Sequence, residues 1–491
     1  MSAALLCLCV ACLVPALAFM ATPTQMKGGG GETFNRLTVP SPRSVPNTLF
    51  KAASATLVTL AAVSSSGGGA SAAAPSAGSG DTNAVVRTVN GIAHKRLGAG
   101  DIIVSELGLG TQRWVSDDLN APQESECFAI LDEAILQNGI SLIDTASQYP
   151  IPSSRSRPEG LCEETLGKWM AQDKSRRAKC VIATKMVGSS NVDKRNIQKD
   201  CEASLRRLQT DYIDVFLLHW PARYSPQSNW GQSLMYHRDV EKYYQNSASF
   251  ADIVEGMGKL IKEGKIRGYG FCNDNCFGLT AAHYTAKAMG VPPPCCLQND
   301  FSLINRRIEE NGVSEASSPI HCNTGFMAYN VLAGGQLTGK YLDAAGQPKK
   351  SVFNLFSKRN SQWTDPKMEE EFRGRFDLSG WGQTLYRYQS GPAVEATRAY
   401  DTIAKKYKIS LTEMALRFAR GRESVTTSLL GNSNLGQFQQ DLSFYKNKEP
   451  LPVGMLMEID RVHMRNRLPI FSSTGPYGEY GDEGLIGERI P

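Results

Sequence analysis

Four side chains that can hold or deliver a proton stand at or just beyond the ends of three short apolar runs. Asp144 ends the first run and Tyr149 follows it, Lys185 ends the second, and His219 ends the third. A carboxylate, a phenol, an ammonium and an imidazole in one place can protonate a reacting oxygen. Singly, such residues are as often structural ion pairs or hydrogen bonders. The pattern predicts proton-transfer chemistry only if the fold brings all four together.

The three runs have the composition of buried strands. They cover residues 140–143, 180–185 and 212–219 and are rich in Ile, Val and Leu, as strands covered on both faces are. In a parallel barrel the carboxyl ends of all strands meet on one face. We therefore expect the four side chains to line one pocket on that face.

Strand and helix patterns alternate from about residue 98. Eight predicted strands in alternation with helices favour an α/β fold, a (β/α)8 TIM barrel that forms a single domain with long loop insertions. A doubly wound open sheet is the alternative, but no GxGxxG follows the first predicted strand, and that absence argues against it. The predicted strands are 102–110, 140–143, 180–185, 212–219, 266–271, 296–299, 325–329 and 426–430. The predicted helices are 125–137, 162–170, 193–208, 250–263, 278–289, 392–407 and 411–420.

Two stretches are too long to be ordinary connections. Residues 221–249 are polar and aromatic, and residues 343–391 carry many charges with little apolar periodicity. We expect both to be insertions over the carboxyl face of the barrel, as lids or substrate loops. They are also the expected places for a partner surface.

Composition argues against several classes of protein. The formal net charge of +5 over 491 residues is too small to predict a nucleic-acid partner. Nine of the twelve cysteines follow residue 100, at irregular spacing and with no CxxC pair among them. Their odd number argues against a disulfide framework, and the missing CxxC pair against a zinc site, so a reducing compartment is expected.

The first 94 residues predict a leader outside the fold. Residues 1–18 have a short apolar core closing on small residues, as signal peptides do, and from residue 19 to 80 the only acidic residue is Glu32. The apolar core is too short for a membrane span, so no stable membrane insertion of the mature domain is expected. The predicted boundaries are 1–18 for a signal-like segment, 19–94 for a transit-type leader, 95–472 for the barrel and 473–491 for a tail.

This two-part leader resembles those of algae with complex plastids, which predicts the plastid stroma. Residues 52–63 form a second apolar run, which resembles a thylakoid-transfer signal, but an Ala-rich piece of disordered transit sequence is the favoured interpretation. The thylakoid lumen and the secretory pathway are therefore the alternatives.

Eight segments identify a resemblance to a known family. Between about residues 95 and 472 the chain resembles the aldo-keto reductases, in particular their Tas-like branch. The segments lie in the family's order at the predicted strand ends: LGLGTQ, LIDTASQYP, VIATK, LRRLQTDYIDVFLLHWP, EGKIRGYGFCN, LQNDFSLINR, AYNVLAGGQLTGKYL and LLGNSN.

The resemblance implies that a small-molecule aldehyde or ketone is reduced by hydride transfer from NADPH, with NADH possible. It implies a catalytic tetrad in which Tyr149 is the general acid. Lys185 would lower the pKa of Tyr149 and Asp144 would hold Lys185, while His219 would donate a hydrogen bond to the carbonyl oxygen. The expected walls of the substrate pocket are Gln112, Trp114 and Trp220. A monomer is the default expectation.

The resemblance also implies a set of cofactor contacts, from the nicotinamide end to the adenine end. They are Thr111, Cys272, Asn273, Gln298, Tyr329, Leu332, Gly334, Gly335, Lys340, Gly431, Ser433, Gln437, Gln440 and Asp441. Four of these depart from the family pattern. Cys272 stands where the family usually has Ser, Gln437 is not the Arg that would favour a 2′-phosphate, and Gln440 and Asp441 replace Glu and Asn at the adenine.

Two other functional classes remain open from the sequence. One is a nucleotide-binding regulatory or partner protein with little turnover, as the potassium-channel β subunits of this family are. Those subunits carry Asn at the position of His219, so His219 favours an enzyme. The other is a thiol sensor that uses Cys272 and Cys276, for which the sequence indicates no environment that lowers a thiol pKa.

Overall fold

The computed structural model describes residues 80–118, 120–188, 192–225, 236, 238, 241, 247–342, 387–388 and 390–470. The predicted signal-like segment, residues 19–79 of the leader, residues 471–491 and most of both insertions lie outside these described residues. Within them, no helix has the length and apolar character needed to cross a membrane.

Eleven strands are present in the described part of the chain. They are β1 Val85–Val89, β2 Ile92–Arg96, β3 Ile103–Ser105, β4 Leu107–Gly110, β5 Leu142–Asp144, β6 Val181–Met186, β7 Ile213–Leu218, β8 Ile266–Cys272, β9 Cys296–Asp300, β10 Gly325–Tyr329 and β11 Thr427–Leu430. Strands β4 to β11 close into a barrel in which every strand pairs in parallel with its neighbours. The predicted (β/α)8 barrel is confirmed.

Helices cover the outside of the barrel. They are α1 Glu124–Leu131, which continues as a π-helical turn Asp132–Gln137, α2 Leu161–Ala171, α3 Ser175–Lys179, α4 Lys194–Leu208, α5 Phe250–Lys262, α6 Cys276–Met289, α7 Arg307–Glu310, α8 Val313–Ser317, α9 Gly391–Lys406, α10 Leu411–Arg420, α11 Leu435–Lys446 and α12 Val453–Arg465. Their inner faces are apolar, as in α4, where Ile197, Cys201 and Leu208 are buried at helical spacing.

A three-stranded antiparallel sheet, β1 to β3, precedes the barrel. The predicted single strand 102–110 is wrong, because the chain leaves this sheet at Glu106. The Glu106 carboxylate accepts a hydrogen bond from Ala93 N at 2.9 Å. Residues 103–105 pair with β2, whereas Leu107–Gly110 pairs with β5 and β11. A continuous apolar run does not reveal that its two halves belong to different sheets.

The same sheet corrects the predicted start of the folded domain at residue 95. Strand β1 begins at Val85, and residues before 95 bind the barrel directly: Asn83 Nδ2 donates to Glu423 O at 2.8 Å, and His94 Nε2 lies 3.0 Å from Gly139 O. The described fold therefore includes residues 80–94, which sequence reasoning gave to the leader.

The barrel has two apolar layers. The inner layer includes Leu142, Val215 and Met327 from the barrel strands, Val104 from β3, and Leu97, which follows β2. The outer layer lies between strands and helices. Side chains therefore fill the barrel interior, and polar residues gather at the carboxyl ends of the strands.

Candidate active site

Strand register sets the four predicted proton-transfer residues at one end of the barrel. Asp144 pairs across to Gly110 on one side and Ala183 on the other, two residues before Lys185. Lys185 pairs with Leu217, and His219 N donates to Met186 O at 3.0 Å. Asp144, Lys185 and His219 therefore lie at the carboxyl ends of three neighbouring strands, as the sequence predicts.

Lys185 is the centre of the cluster and is fully buried. Its ammonium donates to Asp144 Oδ2 at 2.7 Å, to Thr145 O at 2.8 Å and to the Tyr149 hydroxyl at 3.3 Å. These acceptors match the three donors of an ammonium group. The sequence does not predict the contact with Thr145, because it uses a backbone oxygen, which any residue type supplies.

The loop after β5 holds Tyr149 by its backbone. Tyr149 N donates to Ala146 O at 3.1 Å, and Tyr149 O accepts from Gly160 N at 2.9 Å, next to the first turn of α2. Gly160 has φ = +90°, a backbone conformation that glycine adopts without strain. The phenol is thereby placed over Lys185, with the ammonium 4.8 Å from the ring centroid.

His219 completes the cluster. Its ring lies edge-on to Tyr149, with centroids 5.7 Å apart, and stacks on Trp220 at 5.6 Å. Nδ1 is buried without a hydrogen-bond partner in the described part of the chain. Burial, with a further contribution from Lys185, holds the pKa of His219 well below its usual value. The imidazole is therefore neutral at pH 7, able to donate a hydrogen bond but poorly suited to donate a proton.

Burial dominates the electrostatics of the other three residues. It raises the pKa of Asp144, although Lys185 and Gln298 oppose this by binding the carboxylate. Burial alone would lower the pKa of Lys185, but Asp144 and Tyr149, which accept hydrogen bonds from its ammonium, outweigh burial and raise that pKa.

The pKa of Tyr149 departs from expectation. Lys185 acts in the predicted direction and lowers it, but burial is the larger effect, so the pKa lies above its ordinary value. The predicted net lowering is therefore wrong for this arrangement of residues.

The predicted nicotinamide contacts also meet in space. Asn273 Oδ1 accepts from the Tyr329 hydroxyl at 2.6 Å, and Asn273 Nδ2 donates to His219 O at 2.9 Å. Cys272 Sγ donates to Gln298 Oε1 at 3.4 Å, and Gln298 Nε2 donates to Asp144 Oδ1 at 2.7 Å. The amide groups that could hold a carboxamide are thus bonded to the tetrad itself.

The loop after β10 has the features of a phosphate site. Gly334 and Gly335 have φ of +65° and +101°, so the turn is open to backbone approach by a ligand. A Cβ atom on Gly335 would lie 3.3 Å from Lys340 Nζ, which puts a positive charge against this turn. Leu332 is half-buried beside it. These residues fit an anionic group such as a pyrophosphate.

The loop after β11 and the start of α11 hold the predicted adenine end. Gly431, Gln437 and Gln440 are exposed, and Gln437 Oε1 accepts from Ser433 N at 3.0 Å. Asp441 is buried and accepts from Asn432 Nδ2 at 2.7 Å. Burial raises the pKa of Asp441 to about 6.

Two charged residues near this end were missed by sequence reasoning. Arg113 Nη1 lies 3.4 Å from Ser433 Oγ and also pairs with Asp118 at 3.2 Å. Glu126 Oε1 accepts from Leu435 N at 2.6 Å, at the first turn of α11. Arg113 favours a phosphate at Ser433, and Glu126 opposes one. Both come from the segment after β4, which no spacing in the sequence connects with residue 433.

The remaining predicted residues lie around the same face. Thr111 is fully buried, and its Oγ1 has no hydrogen-bond partner within the described ranges. Gln112 and Trp220 are half-buried. Trp114 is 2% exposed and belongs to the outer core, so it presents almost no surface to a ligand in this arrangement.

Sequence reasoning also missed a buried polar cluster beside Tyr329. Arg387 Nη2 donates to Asp300 Oδ2 at 3.1 Å, the Tyr388 hydroxyl donates to the same oxygen, and Asn330 Nδ2 donates to the Tyr388 hydroxyl at 3.1 Å. Asp300 ends β9 as Asp144 ends β5, so its position at a strand end was a usable signal. Arg387 and Tyr388 belong to the second insertion, whose contacts no sequence pattern indicates.

Comparison with known proteins agrees with this geometry. Residues 106–463 match the Aldo/keto reductase family. The chain is 31% identical over 381 residues to Protein tas of Escherichia coli (strain K12), which covers 75% of this chain and 97% of that protein. It is 30% identical over 306 residues to Aldo-keto reductase of Babesia bovis, over 60% of this chain and 99% of that protein. It is also 30% identical over 278 residues to Uncharacterized oxidoreductase YrpG of Bacillus subtilis (strain 168), over 54% of this chain and 74% of that protein.

Proposed function

The chain belongs to the aldo/keto reductase family of oxidoreductases, and from that premise we propose that it reduces aldehydes or ketones to alcohols with NADPH, using Tyr149 as the general acid. The observation that carries the proposal is the contact of Lys185 with both Asp144 and Tyr149. A buried ammonium against a phenol is suited to proton delivery.

The nicotinamide, when bound, supplies the hydride that adds to the carbonyl carbon. Cys272, Asn273 and Gln298 would hold its carboxamide, Tyr329 would stack on its ring, and the Gly334–Gly335 turn with Lys340 would hold the pyrophosphate. As the carbonyl oxygen gains charge, it takes the proton of the Tyr149 hydroxyl, and Lys185 stabilises the phenolate that remains.

The raised pKa of Tyr149 is compatible with this role. The acceptor is an alkoxide, whose conjugate acid, an alcohol, is a far weaker acid than a phenol. A phenol therefore transfers its proton downhill even when burial makes it less acidic. Neutral His219 would hydrogen-bond the carbonyl oxygen and orient it, leaving Tyr149 as the proton donor.

NADPH is proposed as the preferred reductant and NADH as the weaker one. Arg113 beside Ser433 supports the preference. The preference for NADPH is expected to be modest for two reasons. Gln437 replaces the family's usual Arg, and the carboxylate of Glu126 lies at the start of α11.

The experiment that tests the proposal is NADPH oxidation by the purified protein with a panel of aromatic and aliphatic aldehydes and ketones, with NADH in parallel. We expect turnover with some of these carbonyls and a lower KM for NADPH than for NADH. Tight NADPH binding without turnover on any carbonyl would contradict the proposal and favour a regulatory nucleotide-binding protein.

We also propose that the leader directs the enzyme to the plastid stroma. The signal-like segment 1–18 followed by an acid-poor stretch supports this destination. Residues 1–94 fused to a fluorescent protein in an alga with a complex plastid would place the fluorescence in the stroma. Fluorescence in the thylakoid lumen would instead assign a transfer role to residues 52–63, and secretion would contradict the proposal.

A further inference from the structure

The Gln298 side chain joins the two parts of the candidate site. Its Nε2 donates to Asp144 Oδ1 at 2.7 Å, and its Oε1 accepts from Cys272 Sγ at 3.4 Å. Gln298 is 2% exposed. One amide therefore connects a residue expected at the nicotinamide with the carboxylate that holds Lys185.

The chemistry of its two neighbours fixes the orientation of this amide. A carboxylate can only accept hydrogen bonds, so the nitrogen of Gln298 must face Asp144. Burial raises the pKa of the Cys272 thiol, so the sulfur keeps its hydrogen and donates it to the oxygen of Gln298. The reverse orientation would set two acceptors against each other at Asp144.

Asp144 depends on this amide because it is almost completely buried. Its two oxygens have different donors: Lys185 binds Oδ2 and Gln298 binds Oδ1. A buried carboxylate is stabilised in its charged form only by such donors. Without Gln298, one oxygen would have no side-chain donor, and a proton could bind there instead.

We propose that Gln298 is a positioning residue for proton transfer: its amide keeps Asp144 ionised and aligned, and through Asp144 it keeps Lys185 against Tyr149. The kinetic consequence rests on the proposed reductase function. The effect on Asp144 does not, because the hydrogen bond from Gln298 to Asp144 joins two side chains of the protein itself.

Several titratable groups surround Asp144 and must be considered together. Lys185 approaches from β6, Tyr149 from the loop after β5, Cys272 from β8 and Cys296 from β9. His219, which follows β7, interacts with Lys185, and Thr111, which follows β4, donates its backbone N–H to Asp144 O. Of these groups, only Lys185 shares the Asp144 carboxylate with Gln298.

The first test needs no cofactor. Gln298→Met removes the amide at nearly constant volume, and Asn299→Met is the matched control, since Asn299 is the next residue of β9 and its amide donates to Asp274 O at 2.6 Å rather than to a charged group. The free energy of unfolding of the full chain is measured by urea denaturation between pH 5 and pH 8. Should Gln298→Met not fold, Gln298→Asn, whose amide is one carbon too short to reach Asp144, replaces it.

The direction in which the stability of the variant changes with pH follows from proton linkage. In the variant, Asp144 binds a proton at a higher pH than in the parent, so the variant loses stability relative to the parent as pH rises. We expect the stability deficit of Gln298→Met to grow from pH 5 to pH 8 and that of Asn299→Met to stay constant. A deficit of Gln298→Met that does not change with pH would overturn the proposal.

The second test uses turnover. At saturating NADPH we expect the acidic limb of the kcat profile of Gln298→Met to move up by about one pH unit, as the loss of one hydrogen bond to a charged group predicts. Asn299→Met, which removes an amide that donates to the backbone oxygen of Asp274, should leave that limb unchanged. If Gln298→Met changes the affinity for NADPH but not the pH profile of kcat, Gln298 serves only as a cofactor contact. That result would overturn the proposal. If the parent protein turns over no carbonyl, the reductase function fails, and the unfolding measurement still decides the role of Gln298.

Discussion

At the strand ends near Asp144 the protein binds its own polar groups tightly, whereas in the loop after β11 and the first turns of α11 Gln437 and Gln440 are exposed. Lys185 is fully buried with three acceptors. Gln437, by contrast, is exposed, and its side chain bonds back to Ser433. The first region is organised by the protein's own hydrogen bonds, as electrostatic catalysis requires. The second gains its contacts from the ligand, so substitutions there should change affinity rather than chemistry.

The largest effect is expected at Lys185. Lys185→Met leaves the buried Asp144 carboxylate without its ion-pair partner, which costs about 3–5 kcal/mol of stability when a buried pair is broken. It also removes the charge that stabilises the Tyr149 phenolate, so kcat should fall by about 10³-fold. Urea denaturation and carbonyl reduction measure the two effects.

The matched control is Lys259→Met. Lys259 forms an ion pair with Glu263, and its side chain is 57% exposed. We expect little change in either quantity. Equal effects of the two substitutions on unfolding free energy and kcat would show that the buried Lys185 contributes no more than an exposed lysine. The proposed difference between the two regions would then be wrong.

An intermediate effect is expected at Asp441 in the adenine region. Burial raises its pKa to about 6, above the unfolded value of about 3.9. The folded state then favours the protonated form, so the stability that Asp441 contributes is present below pH 4 and is lost as pH rises through 6. Asp441→Asn should therefore be more stable than the parent at pH 8 by up to about 3 kcal/mol, with a smaller gain at pH 5.

Asp101→Asn serves as the control, because the Asp101 side chain is 81% exposed. Its unfolding free energy should follow that of the parent at both pH values. A gain for Asp441→Asn that is the same at pH 5 and pH 8 would show that the Asp441 carboxyl does not titrate abnormally.

The smallest effect is expected at Arg113. Arg113→Ala should weaken NADPH binding by about fivefold, the effect of about 1 kcal/mol from a partly exposed charge, and should change NADH binding little. Glu126→Gln should act in the opposite direction, since it removes a negative charge from the start of α11. Fluorescence titration with both nucleotides measures the difference. Equal weakening of NADPH and NADH by Arg113→Ala would mean that Arg113 only supports its own loop.

The sequence predicts the tightly organised region better than the exposed one. Asp144, Lys185 and His219 were recognisable because each ends an apolar run, and strand ends of a parallel barrel share one face. The contact of Arg113 with Ser433 and that of Arg387 with Asp300 join segments whose approach depends on barrel closure and loop paths. No local pattern encodes such contacts.

Two further differences between the sequence-based predictions and the structure have local physical causes. The run 102–110 divides between two sheets at Glu106, whose N–H donates to Ala93 O in the N-terminal sheet while its O accepts from Ser428 N of β11, and hydrophobic periodicity does not record this change of partner. The pKa of Tyr149 rises because burial outweighs Lys185, and the degree of burial follows from packing rather than from residue type.

The most direct test of the account is Tyr149→Phe, with turnover and cofactor binding measured on the same preparation. The substitution removes one hydroxyl that touches Lys185 at 3.3 Å and leaves Cys272, Asn273 and Gln298 in place. We predict that kcat falls by at least about 10²-fold, while the Kd for NADPH changes little. Carbonyl reduction at the parental rate in Tyr149→Phe would remove Tyr149 from the chemistry and contradict the account.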